Sequence, residues 1–176
     1  MTPRRSGACP RRLLGFTPDI RIHHNDACMK KIRLEREVYH QCGYPCQITI
    51  CSFEESSIFT NANFTYHCMD LLESSCKKYD FFLSVYCFMP DHLHLVVSIR
   101  GEKSIFDLMA AFKSYATRDS RAFGFKGRIF QPRFHDHFIR TPENFENSIM
   151  YILNNPVRKG LVADYSEYPF CKCFIE

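Results

Sequence analysis

From position 46 the chain reads Cys-Gln-Ile-Thr-Ile-Cys-Ser-Phe, alternating with β-branched residues, which predicts a first strand over 46–53 after the turn signal Gly43-Tyr44-Pro45. A loop follows over 54–63. Asn61 or Asn63 can cap a helix running to about Tyr79, with Phe64, Cys68, Leu71, Leu72 and Cys76 along one face. The apolar run 81–89 predicts a second strand, Pro90-Asp91 breaks it, and 92–99 predicts a third joined to it by a tight connection. Gly101 ends that strand. Ser104, with Asp107 three residues on, opens a helix to about Phe123, striped by Ile105, Leu108, Met109 and Phe112 and stopped by Gly124 and Gly127. After a loop at 128–132, a fourth strand is expected over 134–140. Thr141-Pro142-Glu143 opens a last helix to about Asn154, because Pro156 disfavours helical geometry at Asn155.

The resulting order, β-α-β-β-α-β-α, defines an α+β chain. Its first six elements match a ferredoxin-like split βαβ sandwich with an antiparallel sheet, and the C-terminal helix is an addition. Residues 1–40 read as a basic, partly disordered arm, 41–170 as the domain, and 171–176 as an irregular tail. At 176 residues with 45% hydrophobic content, the chain is long enough for one buried core.

Net charge is +4, too small to name a partner, but its distribution is uneven. Up to Arg36 nine Lys or Arg face three acids, and from Lys113 to Arg140 seven face two, a pattern suited to a polyanion. The ten cysteines form no paired CxxC knuckles, and Cys51 and Cys87 lie in apolar runs. Reduced thiols in a cytoplasmic protein are therefore expected. The short apolar stretch after the basic start lacks the length of a signal core, and no run approaches the roughly 20 apolar residues of a membrane span.

Three runs could carry chemistry. In Met89-Pro90-Asp91-His92-Leu93-His94-Leu95-Val96-Val97, His92 and His94 stand two apart on a strand. Both imidazoles then point to one sheet face, with Leu93, Leu95 and Val97 on the other. Two neutral imidazoles on a rigid strand form half of a metal site, although an isolated HxH is more often a surface or hydrogen-bonded pair. In Ser148-Ile149-Met150-Tyr151-Ile152-Leu153-Asn154-Asn155-Pro156, Tyr151 and Asn155 share a helix face if the last turn persists. The Asn155 carbonyl is a hard ligand that could complete a site for Mg²⁺ or Mn²⁺, with Tyr151 one turn away as a nucleophile; packing and helix termination are the plainer roles. In Phe130-Gln131-Pro132-Arg133-Phe134-His135-Asp136-His137-Phe138-Ile139-Arg140, a second HxH is a weaker metal pair. The aromatics interleaved with arginine suit stacking on unpaired bases and pairing with phosphates.

The runs MPDHLHLVV, FQPRFHDHFIR and YILNNPVRKGLV, in that order, resemble the IS200-like single-tyrosine (HUH, Y1) transposases, and most of all the branch associated with repetitive extragenic palindromes (REP). GYPCQITICS resembles the family's first strand, and the likeness extends over about 30–168. It implies that His92 and His94 bind metal and that Tyr151 on the added helix is the nucleophile. Asn155 falls where some relatives carry Gln, a carbonyl ligand of longer reach. The implied substrate is single-stranded DNA, often folded into hairpins beside the cut, which is cleaved to a 5′-phosphotyrosine and a free 3′-OH. A phenol ionises near pH 10 and needs help from a nearby cation. Rejoining needs no ATP, because the covalent link retains the bond energy.

Lys113, Arg118, Arg121, Arg128, Arg133 and Arg140 are the candidates for DNA contacts. Tyr115, beside Lys113 and Arg118, is a rival nucleophile ranked below Tyr151. A catalytically silent nucleic-acid-binding protein of the same fold is the main alternative, but it leaves His92 and His94 without a task. Rolling-circle initiators and relaxases are generally larger. The sequence allows a monomer or a homodimer.

Overall fold

The computed structural model describes residues 44–175. The basic arm expected over 1–40 lies outside them. Five antiparallel strands, β1 (Cys46–Cys51), β2 (Phe81–Met89), β3 (His92–Ile99), β4 (His135–Phe138) and β5 (Cys171–Cys173), form one sheet in the order β4-β1-β3-β2-β5. Helices α1 (Ala62–Lys78) and α2 (Ile105–Asp119) cover one face. Helix α3 (Pro142–Leu153), continued by the short α4 (Asn155–Arg158), packs on the other. The architecture is the expected α+β sandwich of the ferredoxin-like type, with a helix added on the second face.

Local chemistry explains where the helices start. The Asn61 side chain accepts from the Phe64 amide to open α1. Ser104 and Asp107 form a reciprocal capping box at α2. Thr141 caps α3, with Pro142 in its first turn. At the end of α2 a 3₁₀ turn, Ser120–Phe123, closes on Gly124, whose φ of 88° suits a residue without Cβ.

The main core lies between the sheet and α1/α2. Ile48, Ile50, Leu93, Leu95 and Val97 meet Phe64, Leu72, Leu108 and Phe112 there, all fully buried. The expected partition of β3 therefore holds: the odd-numbered residues from 93 to 97 face this core, and Val96 turns to the α3 side. A register shift between Leu83 and Val85 re-phases β2. Tyr86 and Phe88 then stay in the main core while Val85, Cys87 and Met89 face α3. Burial on both faces explains why 81–89 is predominantly apolar and not alternating, with Ser84 as a buried polar interruption.

Three expectations need correction. The chain does not stop winding before Pro156: Asn154 keeps helical angles (φ −82°, ψ 0°), and the Arg158 amide donates to the Asn154 carbonyl at 2.9 Å. Proline sits in the first turn of α4, where its missing N–H matters least. The tail is not irregular, because Cys171–Cys173 pairs antiparallel with Val85–Cys87 at the sheet edge. Nor are all the thiols reduced, since Cys87 and Cys171, facing each other across β2 and β5, form a disulfide. The thiols of Cys46, Cys68 and Cys76 are free and buried, and burial pushes all three up, Cys76 to about 12. They act as small hydrophobes. Among the described residues, no helix is long and apolar enough to cross a membrane.

Candidate active site

The β2–β3 connection places Asp91 immediately before His92, and β3 carries both imidazoles onto the face shared with α3. Each ring is held from behind. His92 Nδ1 lies 2.6 Å from Asp91 Oδ1, which fixes the proton on that nitrogen and leaves Nε2 with its lone pair. His94 Nδ1 lies 2.8 Å from Thr49 Oγ1, a hydroxyl on the neighbouring strand β1, where Thr49 is the register partner of His94. A hydroxyl both donates and accepts, so it accommodates either tautomer of His94.

With both Nδ1 atoms occupied, the Nε2 atoms converge at 3.1 Å. Two nitrogens bound at right angles to one cation, each about 2.1–2.2 Å away, stand about 3 Å apart. The pair therefore has the spacing of two adjacent metal ligands. Burial, and then repulsion from His92, pulls the His94 imidazole down to about 4, so it is neutral near pH 7 as a ligand must be. Among the described residues, no group of three or more His, Cys, Asp or Glu gathers around one point.

Tyr151 projects from the last turn of α3. Its neighbours Ile149, Ile152 and Leu153 are buried, and they set the rotation of the helix so that Tyr151 emerges at the edge of the contact, 42% exposed. Its ring meets His94 edge to face, with centroids 6.0 Å apart. Arg158 of α4 lies over the same ring at 4.9 Å. Asn155 is buried on the first turn of α4, and its amide nitrogen has no hydrogen-bond partner among the described residues. The structure thus brings together His92, His94 and Tyr151. It gives Asn155 no hydrogen bond to either imidazole. Thr49, Asp91 and Arg158 were not among the sequence candidates. Asp91 adjoins the HxH and could have been read from it, whereas Thr49 needs the strand register and Arg158 needs the unbroken winding through Pro156.

The rival Tyr115 stands on α2, on the opposite side of the sheet, with Lys78 and Arg118 near its ring. The second HxH is split from the first by a strand. His135 pairs with Thr49 and His137 with Gln47 across β1–β4, so both lie on the histidine face but exposed.

Of the basic candidates, Lys113, Arg118, Arg121 and Arg128 line one open groove of about 550 Å³ between α2 and residues 128–132. Lys113 is already engaged: its amine donates to the carbonyls of Gln131 at 2.5 Å and of Pro132 and Arg133 at 3.3 Å, and burial lowers its pKa. Arg118 pairs with Asp119 at 2.7 Å, and the Asp119 carboxyl is held low by that bond. Arg121 and Arg128 are exposed beside them, and Arg133 and Arg140 are exposed further along the chain.

The fold, with two convergent imidazoles facing an exposed tyrosine, defines the class: the chain belongs to the transposase family described as "Transposase IS200 like", whose profile matches residues 39–139, more than half of the sequence. That match ends before α3, so Tyr151 lies outside it. Within the class, the chain is 30% identical over 110 residues to a Haemophilus influenzae protein provisionally named REP-associated tyrosine transposase, covering 56% of this chain and 62% of that one. It is also 30% identical over 91 residues to the REP-associated tyrosine transposase of Escherichia coli K12, covering 51% and 53%. The matched stretches thus span less than two thirds of either relative. A solved structure of a REP-associated tyrosine transposase bound to a REP hairpin superposes with a TM-score of 0.64 at 24% identity, covering 81% of this chain and 82% of that one, which shows the shared fold.

Proposed function

We propose that this protein cleaves and rejoins single-stranded DNA through a covalent tyrosine intermediate, acting in the cytoplasm as a monomer or homodimer on strands that fold into hairpins. The observation that carries this reading is the meeting of Tyr151 with His94, whose Nε2 is paired with that of His92 at 3.1 Å. The Tyr151 oxygen attacks the scissile phosphorus, forming a phosphotyrosine bond to the 5′ side. The bond to the 3′ oxygen breaks, and that oxygen takes up a proton as the phenol loses its own. Rejoining is the reverse attack by a 3′-OH, which displaces the Tyr151 oxygen, so the number of phosphoester bonds is unchanged in each step.

The two-imidazole donor set fits a divalent cation. His92 and His94 would hold Mg²⁺ or Mn²⁺, with the carbonyl oxygen of Asn155 as a third donor. Such an ion, when bound, supplies positive charge that polarises the phosphate. His92 and His94 are oriented for this by Asp91 and Thr49.

The basic groove supports a DNA backbone contact through Arg118, Arg121 and Arg128, and the exposed Arg133 and Arg140 are further candidates outside it. Lys113 contributes by fastening the 131–133 segment. The hairpin in the structural relative supports the choice of substrate.

The test compares Tyr151→Phe with the unaltered chain on a hairpin-bearing strand with Mn²⁺. Cleavage is expected to vanish while binding persists. Binding by both proteins with cleavage by neither would instead favour a silent nucleic-acid-binding protein.

A further inference from the structure

Tyr151 has a second neighbour besides His94. Arg158 lies over the Tyr151 ring, its guanidinium carbon 4.9 Å from the centroid, while the His94 ring meets it edge to face with centroids 6.0 Å apart. The contact is built by the backbone. The Asn154 amide donates to Met150 at 3.0 Å, Arg158 to Asn154 at 2.9 Å and Lys159 to Asn155 at 3.0 Å, so winding carries through Pro156 from α3 into α4. Residues seven apart then return to one helix face, as Tyr151 and Arg158 do.

Among the described residues, no carboxylate pairs with Arg158. A guanidinium held over an aromatic ring by cation–π attraction still has N–H groups to offer, and those groups match the oxygens of a phosphodiester. We propose that Arg158 is a further active-site residue, which lies over the Tyr151 ring to orient the phenol and donates an N–H to a non-bridging oxygen of the scissile phosphate. It thereby fixes nucleophile and phosphate relative to each other. Nothing in the wider groove can do this, because its arginines lie along α2 and residues 128–132, on the far side of the sheet from α3. The proposal rests on Tyr151 being the nucleophile.

The experiment uses the full chain, a hairpin-bearing single strand and Mn²⁺. It measures the single-turnover rate of adduct formation and the DNA dissociation constant separately for Arg158→Ala, Arg158→Lys and Tyr151→Phe. Misplacing a reacting group by about 1 Å costs on the order of 100-fold, so Arg158→Ala is expected to slow adduct formation about that much. Its DNA affinity should fall no more than about threefold, because one phosphate contact among several is lost. Arg158→Lys, which keeps the charge but not the forked guanidinium, should fall between. Added methylguanidinium should restore at least about tenfold to Arg158→Ala and nothing to Tyr151→Phe, a rescue that a merely structural role would not give. An Arg158→Ala rate within twofold of the unaltered chain, or a loss wholly accounted for by weaker binding, overturns the proposal. Failure of methylguanidinium to rescue a folded Arg158→Ala protein also overturns it. Adduct formation by Tyr151→Phe would instead remove the underlying reading, whatever Arg158→Ala does.

Discussion

The Tyr151 and His94 rings meet edge to face within a single chain, centroids 6.0 Å apart, although one belongs to the added helix and the other to a central strand. The packing that creates this contact does not depend on the tyrosine, because Ile149, Ile152 and Leu153 anchor the helix. Tyr151→Phe is therefore expected to change stability by no more than about 0.5 kcal/mol, as for other exposed substitutions. Thermal unfolding checks this, and it makes any loss of cleavage in that variant a chemical effect rather than a folding one.

Thr49→Val keeps the shape of a β-branched strand residue and removes the hydroxyl behind His94. His94 Nδ1 then loses its partner, and the ring is free to turn. Affinity for Mn²⁺, measured by calorimetry, should fall about 10–100-fold, the usual cost of removing the group that orients a metal-bound histidine. Unchanged affinity would show that the strand alone holds the imidazole.

Much of this arrangement was legible in the chain. The alternation in 92–99 separates His92 and His94 from Leu93, Leu95 and Val97, and the structure keeps that separation. The helix starts are local chemistry: Ser104 caps α2 as expected, Asn61 is the one of two candidates that caps α1, and α3 opens at the expected Thr141-Pro142. What stayed hidden depends on partners distant in sequence. Thr49 reaches His94 only through strand register. Cys171 meets Cys87 only because the last strand joins the sheet, and its three residues are too few to show a period. Arg158 was hidden by Pro156, read as a terminator when it opens a further helical turn.

The low pKa of His94 gives the metal-free protein an acid-sensitive window. Burial first, and the neighbouring His92 second, lower it from 6.5 to about 4, so the folded chain resists protonation at this ring. The unfolded chain takes up that proton below about pH 6.5 and is favoured by it. Stability contributed by neutral His94 is thus complete above pH 6.5 and declines as pH falls towards 4, below which both states are protonated and the loss levels off. At about 1.4 kcal/mol per unit, the loss is on the order of 3 kcal/mol. Denaturant unfolding in EDTA should show this slope in the unaltered chain, and His94→Gln should lack that part of it.

The Cys87–Cys171 disulfide closes a loop across 84 residues and ties the edge strand to the sheet. Reduction should cost about 2–4 kcal/mol, the usual contribution of such a link. Dithiothreitol should lower the melting temperature of the unaltered chain and leave Cys171→Ser unaffected. Equal melting with and without reductant in the unaltered chain would show that the link contributes nothing.

The central claim is that Tyr151 attacks the DNA. A hairpin-bearing single strand is incubated with the protein and Mn²⁺, the covalent product is isolated under denaturing conditions, and the nucleotide-bearing peptide is identified by mass spectrometry. The account predicts a phosphodiester on Tyr151. An adduct on Tyr115, across the sheet on α2, would contradict it.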